Sequence, residues 1–245
     1  MVEAGSNPAI PERIKVSASC LADIVTAGLN ASLAAIIRPY KHNRKGEGFA
    51  RSVFYRPACL AIRHYHDKRN SPDILDAAIF ELQKRHDLST KTWEKTRCAR
   101  NIQAIDAYRR RYKDRKFLVQ TNHRLSFKIG RVTVTAEPDL WVTENGIPVL
   151  LKIGLAKKSR SFIDVLLTVI RKAAIASGHK VRAKNIVYLD ISNGTELICS
   201  RSLTGFNQTF RSLANRIVRE WPKIESQDSS SRNSEGTDEA PGAMV

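Results

Sequence analysis

Residues 136–154, AEPDLWVTENGIPVLLKIG, combine acidic side chains and a lysine in a pattern suited to chemistry on phosphates. Glu137 and Asp139 flank a proline, and Lys152 follows in the next apolar segment. Carboxylate oxygens are the ligands that Mg²⁺ and Mn²⁺ prefer. Such an ion neutralises developing phosphate charge and activates water, while a lysine stabilises the transition state. We therefore expect phosphodiester hydrolysis, with Asp139, Lys152 and Glu137 as the catalytic candidates.

The local sequence predicts how these side chains meet. Alternation predicts a strand over 131–142 with Glu137 and Asp139 on one face, because residues two apart in a strand point the same way. Asn-Gly at 145–146 is a strong hairpin signal and leads into a strand that carries Lys152. Asp139 and Lys152 can thus converge, with Glu137 as an optional third member, and a bulge near Pro138 or Pro148 could shift the register. Glu137 is equally consistent with a solvated strand residue, and Lys152 with a surface lysine.

Pro138-Asp139, the Asn-Gly hairpin, position 150 and Lys152 together resemble the PD-(D/E)XK nuclease superfamily, and the helices upstream resemble its RecB-like and Cas4-like branches. The resemblance implies an α+β fold with a restriction-endonuclease-like mixed sheet. It also implies that Asp139 is the metal-binding aspartate and that Lys152 is the lysine of the motif.

The chain departs from this pattern at the second acidic position, where Leu150 stands and cannot bind a metal. Glu137, or Asp164 on the following helix, would have to replace the missing ligand. Asp164 is also explained as a first-turn helix residue that meets the helix dipole. A Gln-x-x-x-Tyr motif, found in some branches, would fall near Leu167 and Arg171 and is absent.

The first half of the chain is predicted to be a helical, basic N-terminal region over 1–116. Ser71, Pro72 and Asp73 form a strong helix start, with Ser71 as N-cap. The predicted helices cover, in chain order, residues 19–40, 49–65, 71–86 and 90–112. Pro39 is expected to end the first of them, and Pro57 to kink or divide the second.

The second half is predicted to be an α/β core over 117–224. Strand-like alternation starts at Leu125, a helix is expected at about 161–176, two strands follow around a second Asn-Gly at 193–194, and a final amphipathic helix spans Phe206 to Trp221. Residues 225–245 are rich in Ser, Asp, Glu and Gly, which predicts a disordered tail. The helical region is expected to pack on the core.

The charge of the chain indicates a polyanionic partner. The formal net charge is +17, with 41 Lys and Arg against 24 Asp and Glu, and nucleic acid is the expected partner; the resemblance to the nuclease superfamily implies DNA in particular. An anionic membrane surface is the rival. The candidate phosphate-binding residues cluster near 109–116 and around the helix after the motif: Arg109, Arg110, Arg111, Lys113, Lys157, Lys158, Arg160 and Arg171. Any one of them is also explained as part of a solvated helix face.

Cysteine and hydropathy patterns indicate the cellular setting. Cys20, Cys59, Cys98 and Cys199 show no C-x-x-C spacing, which favours buried reduced thiols in a cytoplasmic protein. The apolar segment near 21–37 carries too many polar residues to span a membrane.

Other side chains could do chemistry, but their spacing favours plainer roles. His64 and His66 lie two apart in a predicted helix, where they do not face each other, so a solvated helix end is expected. Trp93, Tyr108 and Tyr112 could stack on bases, but helical spacing favours core packing.

Three functions remain open from the sequence. The first is a PD-(D/E)XK-like nuclease acting on DNA with Mg²⁺ or Mn²⁺. The second is a catalytically inactive relative that binds nucleic acid, and the third is a basic subunit that docks an acidic protein.

Overall fold

The computed structural model describes residues 13–28, 31–42, 54–68, 71–121, 124–155, 157–200 and 202–234. This part of the chain is α+β, with seven α-helices and two mixed sheets. In chain order the elements are β1 (Ile14–Ser17), α1 (Ala18–Ala27), α2 (Leu33–His42), α3 (Arg56–Asp67), α4 (Pro72–Leu88), α5 (Thr92–Tyr112), β2 (Phe117–Val119), β3 (Leu125–Ile129), β4 (Val132–Ala136), β5 (Leu140–Glu144), β6 (Ile147–Gly154), α6 (Arg160–Ala176), a 3-10 helix (Ala183–Asn185), β7 (Ile186–Asp190), β8 (Thr195–Ile198) and α7 (Leu203–Ser234).

The larger sheet has five strands in the order β2-β5-β6-β7-β8. β6 and β7 run parallel and are joined by the crossover helix α6, while the other neighbours are antiparallel. The predicted hairpin joins β5 to β6: Asn145 and Gly146 have φ of 51° and 77°, and Glu144 pairs with Ile147. Two positive φ values are what a tight two-residue hairpin requires, so the Asn-Gly prediction is confirmed.

The smaller sheet has three strands in the order β1-β4-β3, with β1 parallel to β4. The single strand expected over 131–142 is wrong, because β4 ends at Ala136 and β5 begins at Leu140 in the other sheet. Pro138 explains the break, since proline lacks an N–H for the ladder and restricts the residue before it. Residues 137–139 therefore carry the chain from one sheet to the other.

Two apolar clusters lie on opposite faces of the five-stranded sheet. Leu151 and Val187 face the helices α3, α4 and α5, which pack on the core as expected of the N-terminal helices. Leu150 and Tyr188 face the other way, toward α6, α1, α7 and the three-stranded sheet. The fully helical N-terminal region is a wrong expectation in one respect, because β1 belongs to the smaller sheet.

Several predicted helix boundaries are confirmed and others are wrong. The expected helices at 71–86, 90–112 and 161–176 correspond to α4, α5 and α6. The expected helix 19–40 is two helices separated near Gly28, whose φ is 83°. Pro39 lies inside α2 instead of ending it. The expected division near Pro57 is confirmed, because Phe54 is helical, Tyr55 is a turn and α3 begins at Arg56 with Pro57 in its first turn; residues 49–53 of that expected helix lie outside the described residues. Proline is well tolerated in a first helical turn, where its missing N–H has no helical partner.

The C-terminal helix is longer than the sequence suggested. α7 continues to Ser234, so the disorder predicted from Glu225 is wrong for residues 225–234, and residues 235–245 lie outside the described residues. The amphipathic part of the helix is confirmed, because Phe206, Phe210 and Trp221 are buried.

Candidate functional site

The hairpin positions Asp139 directly against β6. The backbone N–H of Asp139 donates to the Leu151 carbonyl oxygen at 2.9 Å. This hydrogen bond extends the β5–β6 pairing by one residue beyond Leu140, which pairs with Leu151. Cross-strand neighbours lie close together on one face of a sheet, so Lys152 stands within reach of the Asp139 carboxylate.

Both oxygens of that carboxylate accept hydrogen bonds. Lys152 Nζ donates to Asp139 Oδ1 at 2.8 Å, and the Ile153 N–H donates to Oδ2 at 2.7 Å. Lys152 Nζ also lies 3.4 Å from the Glu137 carbonyl oxygen. The Lys152 and Asp139 side chains are 24% and 23% exposed, so the acid and the amine converge at a place that solvent reaches.

The charges of this group reinforce each other. Burial lowers the pKa of Lys152, but the Asp139 charge and hydrogen bond, with a smaller contribution from Glu137, outweigh it and leave the pKa raised. The lysine is therefore a stable cation at neutral pH. Burial and the Asp139 charge also raise the pKa of the nearby Cys59 thiol to about 12, against a smaller opposing effect of Lys152. Cys59 is accordingly a neutral thiol rather than a nucleophile.

Lys152 and Glu137 line a polar cleft of about 190 Å³ between the two sheets. The other polar lining residues are Ser17, Ser19, Arg124 and Thr135. Ser17 caps α1, its Oγ accepting from the Cys20 N–H at 3.2 Å, so the positive end of the α1 dipole meets the cleft. Two cations, hydroxyls and a helix N-terminus form a suitable environment for a phosphate.

The metal ligands expected from the resemblance are only partly assembled. Leu150 is 1% exposed within the apolar cluster. Asp164 is tied to Arg160 at 3.1 Å and to Ser200 at 3.5 Å. Within the described ranges, no group of three or more His, Cys, Asp and Glu side chains could hold a metal ion.

Glu137 lines the cleft, and Asp139 adjoins it through its ion pair with Lys152. An ionised carboxylate has about four acceptor sites, so Asp139 keeps capacity after its two hydrogen bonds, and the Glu137 side chain is exposed. Mg²⁺ commonly uses one or two carboxylates together with waters and substrate phosphates. Asp139 and Glu137 are therefore the residues that would hold such an ion.

Three of the eight predicted phosphate-binding cations bind acidic side chains or a backbone carbonyl of the protein itself. Arg109 pairs with Asp76 and, at 2.9 Å, with Asp106. Arg111 Nη1 donates to the Ile191 carbonyl at 3.4 Å, and Arg160 pairs with Asp164. The remaining candidates differ in their surroundings: Lys158 lies 4.5 Å from the Phe162 ring centroid, Arg171 is half-buried, and Arg110, Lys113 and Lys157 are exposed.

The outer side of the three-stranded sheet provides cations that the sequence analysis missed. Two cross-strand rows follow from the register, Lys15–Thr133–Lys128 and Ser17–Thr135–Ser126. All six residues are exposed or half-buried, while the alternate residues of the same strands are buried or half-buried apolar residues of the core. We call these six residues the cationic sheet face. The alternation of polar and apolar residues within IKVS, LSFKI and VTVTA was the sequence signal for this face. Only the pairing of β1 with β4 brings the polar residues of the three strands together.

Two smaller expectations are wrong and two are confirmed. His66 does not lie at a solvated helix end, because it is 2% exposed and contacts the Tyr108 hydroxyl. Trp93 is 57% exposed instead of packed, whereas Tyr108 and Tyr112 are buried as expected. The four cysteines are free thiols, as expected; Cys59 is half-buried and the other three are buried.

Comparison of the chain with protein-family models, with curated proteins and with solved structures finds no match. Over the described segments, none of the helices combines the length and the apolar character that crossing a bilayer demands.

Proposed function

We propose that this chain binds nucleic acid, holding the phosphate backbone on the cationic sheet face and in the adjoining cleft of Lys152. The observation that carries the proposal is the continuity of these two surfaces. Ser17 and Thr135 belong to the sheet face and also line the cleft. One ribbon of backbone can therefore contact Lys15 and Lys128 outside and Arg124 and Lys152 inside.

The character of the surface supports a backbone ligand. Lysines, hydroxyls and helix N-termini are the groups that contact phosphate and sugar, and they position nucleic acid without reading its sequence. The net charge of +17 agrees with such a partner. The order of a β-hairpin, a crossover helix and a parallel strand agrees with the resemblance to PD-(D/E)XK nucleases, which favours DNA as the ligand.

Metal-dependent hydrolysis of the bound strand is a second candidate function, and one observation favours it. Asp139 and Glu137 both act electrostatically on Lys152, although carboxylates beside a phosphate site repel the ligand. If the two carboxylates bound Mg²⁺ or Mn²⁺, they would no longer repel the phosphate. The ion would also neutralise charge on the phosphate and supply an activated water. Lys152 would then orient a phosphate oxygen as a fixed point charge.

Binding is tested by fluorescence anisotropy with labelled DNA from about 50 to about 200 mM salt. Lys15→Gln with Lys128→Gln should weaken duplex binding roughly tenfold at the lower salt and reduce the slope of log K against log salt by about 1.8, since each phosphate contact contributes about 0.9. The matched control is Lys84→Gln with Lys91→Gln, two exposed lysines of α4 and the α4–α5 loop. Equal loss in both variants would refute the assigned face, and no binding by the unmodified chain would refute the function and favour an acidic protein partner.

Hydrolysis is tested separately with Mn²⁺ on the same DNA. Asp139→Asn and Lys152→Ala should each reduce cleavage by about a hundredfold or more, the effect of removing one preorganised charged group from a transition state. Glu137→Gln should weaken the dependence of DNA cleavage on the Mn²⁺ concentration. Cleavage that persists unchanged in all three variants would place the activity elsewhere.

A further inference from the structure

A second cleft, of about 490 Å³, opens between the β3–β4 turn and the helices α6 and α7. Its polar lining consists of three cations and two amides, namely Lys128, Lys172, Arg211, Asn207 and Asn215. We call it the α6–α7 cleft. No Asp or Glu is among its lining residues in the described part of the chain, so its charge is uncompensated locally.

Lys172 is held in place without a carboxylate partner in any contact that the structure shows. Its Nζ donates to the side-chain oxygen of Asn207 and lies 5.1 Å from the Phe127 ring centroid and 6.0 Å from that of Phe210. Aromatic faces attract a cation, and an amide oxygen orients it. These neighbours fix the position of the ammonium but leave its full charge to act on the cleft.

Arg211 stands close enough to Lys172 for the two charges to repel. Burial and then the charge of Arg211 lower the pKa of Lys172. Like charges held together in a partly desolvated place are unfavourable, and an anion between them relieves that repulsion. A phosphate is the suitable anion, because it accepts hydrogen bonds from an ammonium, a guanidinium and amide N–H groups at once.

The α6–α7 cleft lies along the same strand as the Lys152 cleft. Arg124, just before β3, lines the Lys152 cleft, and Lys128 within β3 lines the α6–α7 cleft. Four residues of strand span about 13 Å at about 3.3 Å each. One strand of a duplex carries a phosphate about every 3.4 Å along the axis, so this distance corresponds to about four phosphates. A backbone that leaves the Lys152 cleft across the cationic sheet face therefore reaches the α6–α7 cleft.

We propose that the α6–α7 cleft binds a phosphate of the nucleic-acid backbone through Lys172 and Arg211, with Lys128 bridging to the cationic sheet face. This inference rests on the proposed function and extends the bound strand beyond the Lys152 cleft. The same chemistry would also accept the phosphates of a small free ligand, and the experiment distinguishes these two sources.

The test combines anisotropy with labelled DNA and calorimetric titration with tripolyphosphate. The cleft variant is Lys172→Gln with Arg211→Gln. The matched control is Lys180→Gln with Arg219→Gln, an exposed lysine and an exposed arginine that do not line the cleft. The cleft variant should bind duplex DNA roughly tenfold more weakly at about 50 mM salt, with a slope of log K against log salt smaller by about 1.8, and the control should bind as the unmodified chain does. Arg211→Gln alone, at an exposed position, should give about half of that change in slope. This single variant replaces the double variant if Lys172→Gln impairs folding.

Each result decides between the sources. Equal DNA binding and equal salt slopes in the cleft variant and the control overturn the inference while the proposed function stands. If the unmodified chain does not bind DNA, the proposed function fails, and the tripolyphosphate arm then decides. If tripolyphosphate binds the unmodified chain and the control but not the cleft variant, the cleft is a site for a small phosphate ligand. Its assignment to the nucleic-acid backbone is then wrong. No tripolyphosphate binding in that case would overturn the cleft as an anion site.

Discussion

Lys152 holds Asp139 in a cross-strand ion pair, 2.8 Å long, at the point where the chain passes from the smaller sheet to the larger one. The other carboxylate oxygen accepts from the backbone of β6. A single aspartate thus fixes the approach of the 137–139 segment to β6. The pair that resembles part of a nuclease motif is, in the first place, a contact between the connection and the sheet.

The strength of this ion pair is a measurable quantity. We expect Lys152→Met to lower the free energy of unfolding by about 1–3 kcal/mol, because it leaves a half-buried carboxylate without its charged partner. A double-mutant cycle with Asp139→Asn should give a coupling of about 1–2 kcal/mol. Urea denaturation of the four proteins measures it, and a coupling below about 0.5 kcal/mol would mean that the pair is too solvated to hold the connection.

The elements of this site were predictable to different degrees from the sequence. Asn145-Gly146 specifies its own turn through positive φ, and Pro72 favours the start of α4 at its own position. Ser71 is the N-cap residue as expected, but its side chain makes no capping hydrogen bond. The change of sheet at Pro138 was missed because alternation continues in the letters on both sides of the proline, although the ladder cannot continue through it.

The parts that depend on distant segments could not be predicted in the same way. The sequence IKVS before α1 is too short to reveal that β1 pairs with β4, and Lys15 gains its place beside Lys128 only through that pairing. The cations near 109–116 were predicted from their density, but Asp76, which engages Arg109, and Glu144 and Glu196, which engage Arg115, come from other elements. Charge counting identifies an excess, whereas tertiary packing decides which charges stay free.

Stability in acid should depend on Asp190. This carboxylate is 4% exposed and accepts from Ser192 Oγ at 2.6 Å and from Asn193 at 3.1 Å and 2.7 Å. Burial alone would raise its pKa, but these hydrogen bonds lower it below the usual 3.8. Its stabilising contribution is therefore complete above about pH 3.8 and is lost as the pH falls through the folded pKa.

The matching variant is Asp190→Asn. It should cost about 1–3 kcal/mol at pH 7, and the difference from the unmodified chain should shrink as the pH falls below about 3.8. Thermal unfolding at a series of pH values measures both effects. A difference that stays constant throughout this range would show that folding does not lower the pKa of Asp190.

The hairpin that aligns Asp139 with Lys152 should depend on backbone conformation at Gly146. With φ at 77° and open space where a Cβ would stand, Gly146→Ala meets no clash, and its cost of about 1 kcal/mol arises from the backbone alone. Asn145→Gly, at φ 51°, should change stability by only a few tenths of a kcal/mol. Chemical denaturation of both variants checks this, and equal losses would be inconsistent with a turn that needs glycine at its second position.

Leu150 offers a direct test of the resemblance to a nuclease motif. It pairs with Trp141 on one side and Ile186 on the other and is 1% exposed, so Leu150→Glu should destabilise the protein by about 3 kcal/mol or more without metal. If position 150 corresponds to the missing acid, Mn²⁺ should bind the Glu variant more tightly and raise its Tm, because the new carboxylate lies on the same strand face as Lys152 and near Asp139. Leu150→Gln is the control, since it buries a polar group of similar size without the charge. Calorimetry and melting that show no greater effect of Mn²⁺ on the Glu variant than on the Gln variant would contradict the alignment, and the pair of Asp139 and Lys152 would then keep only its structural and phosphate-binding roles.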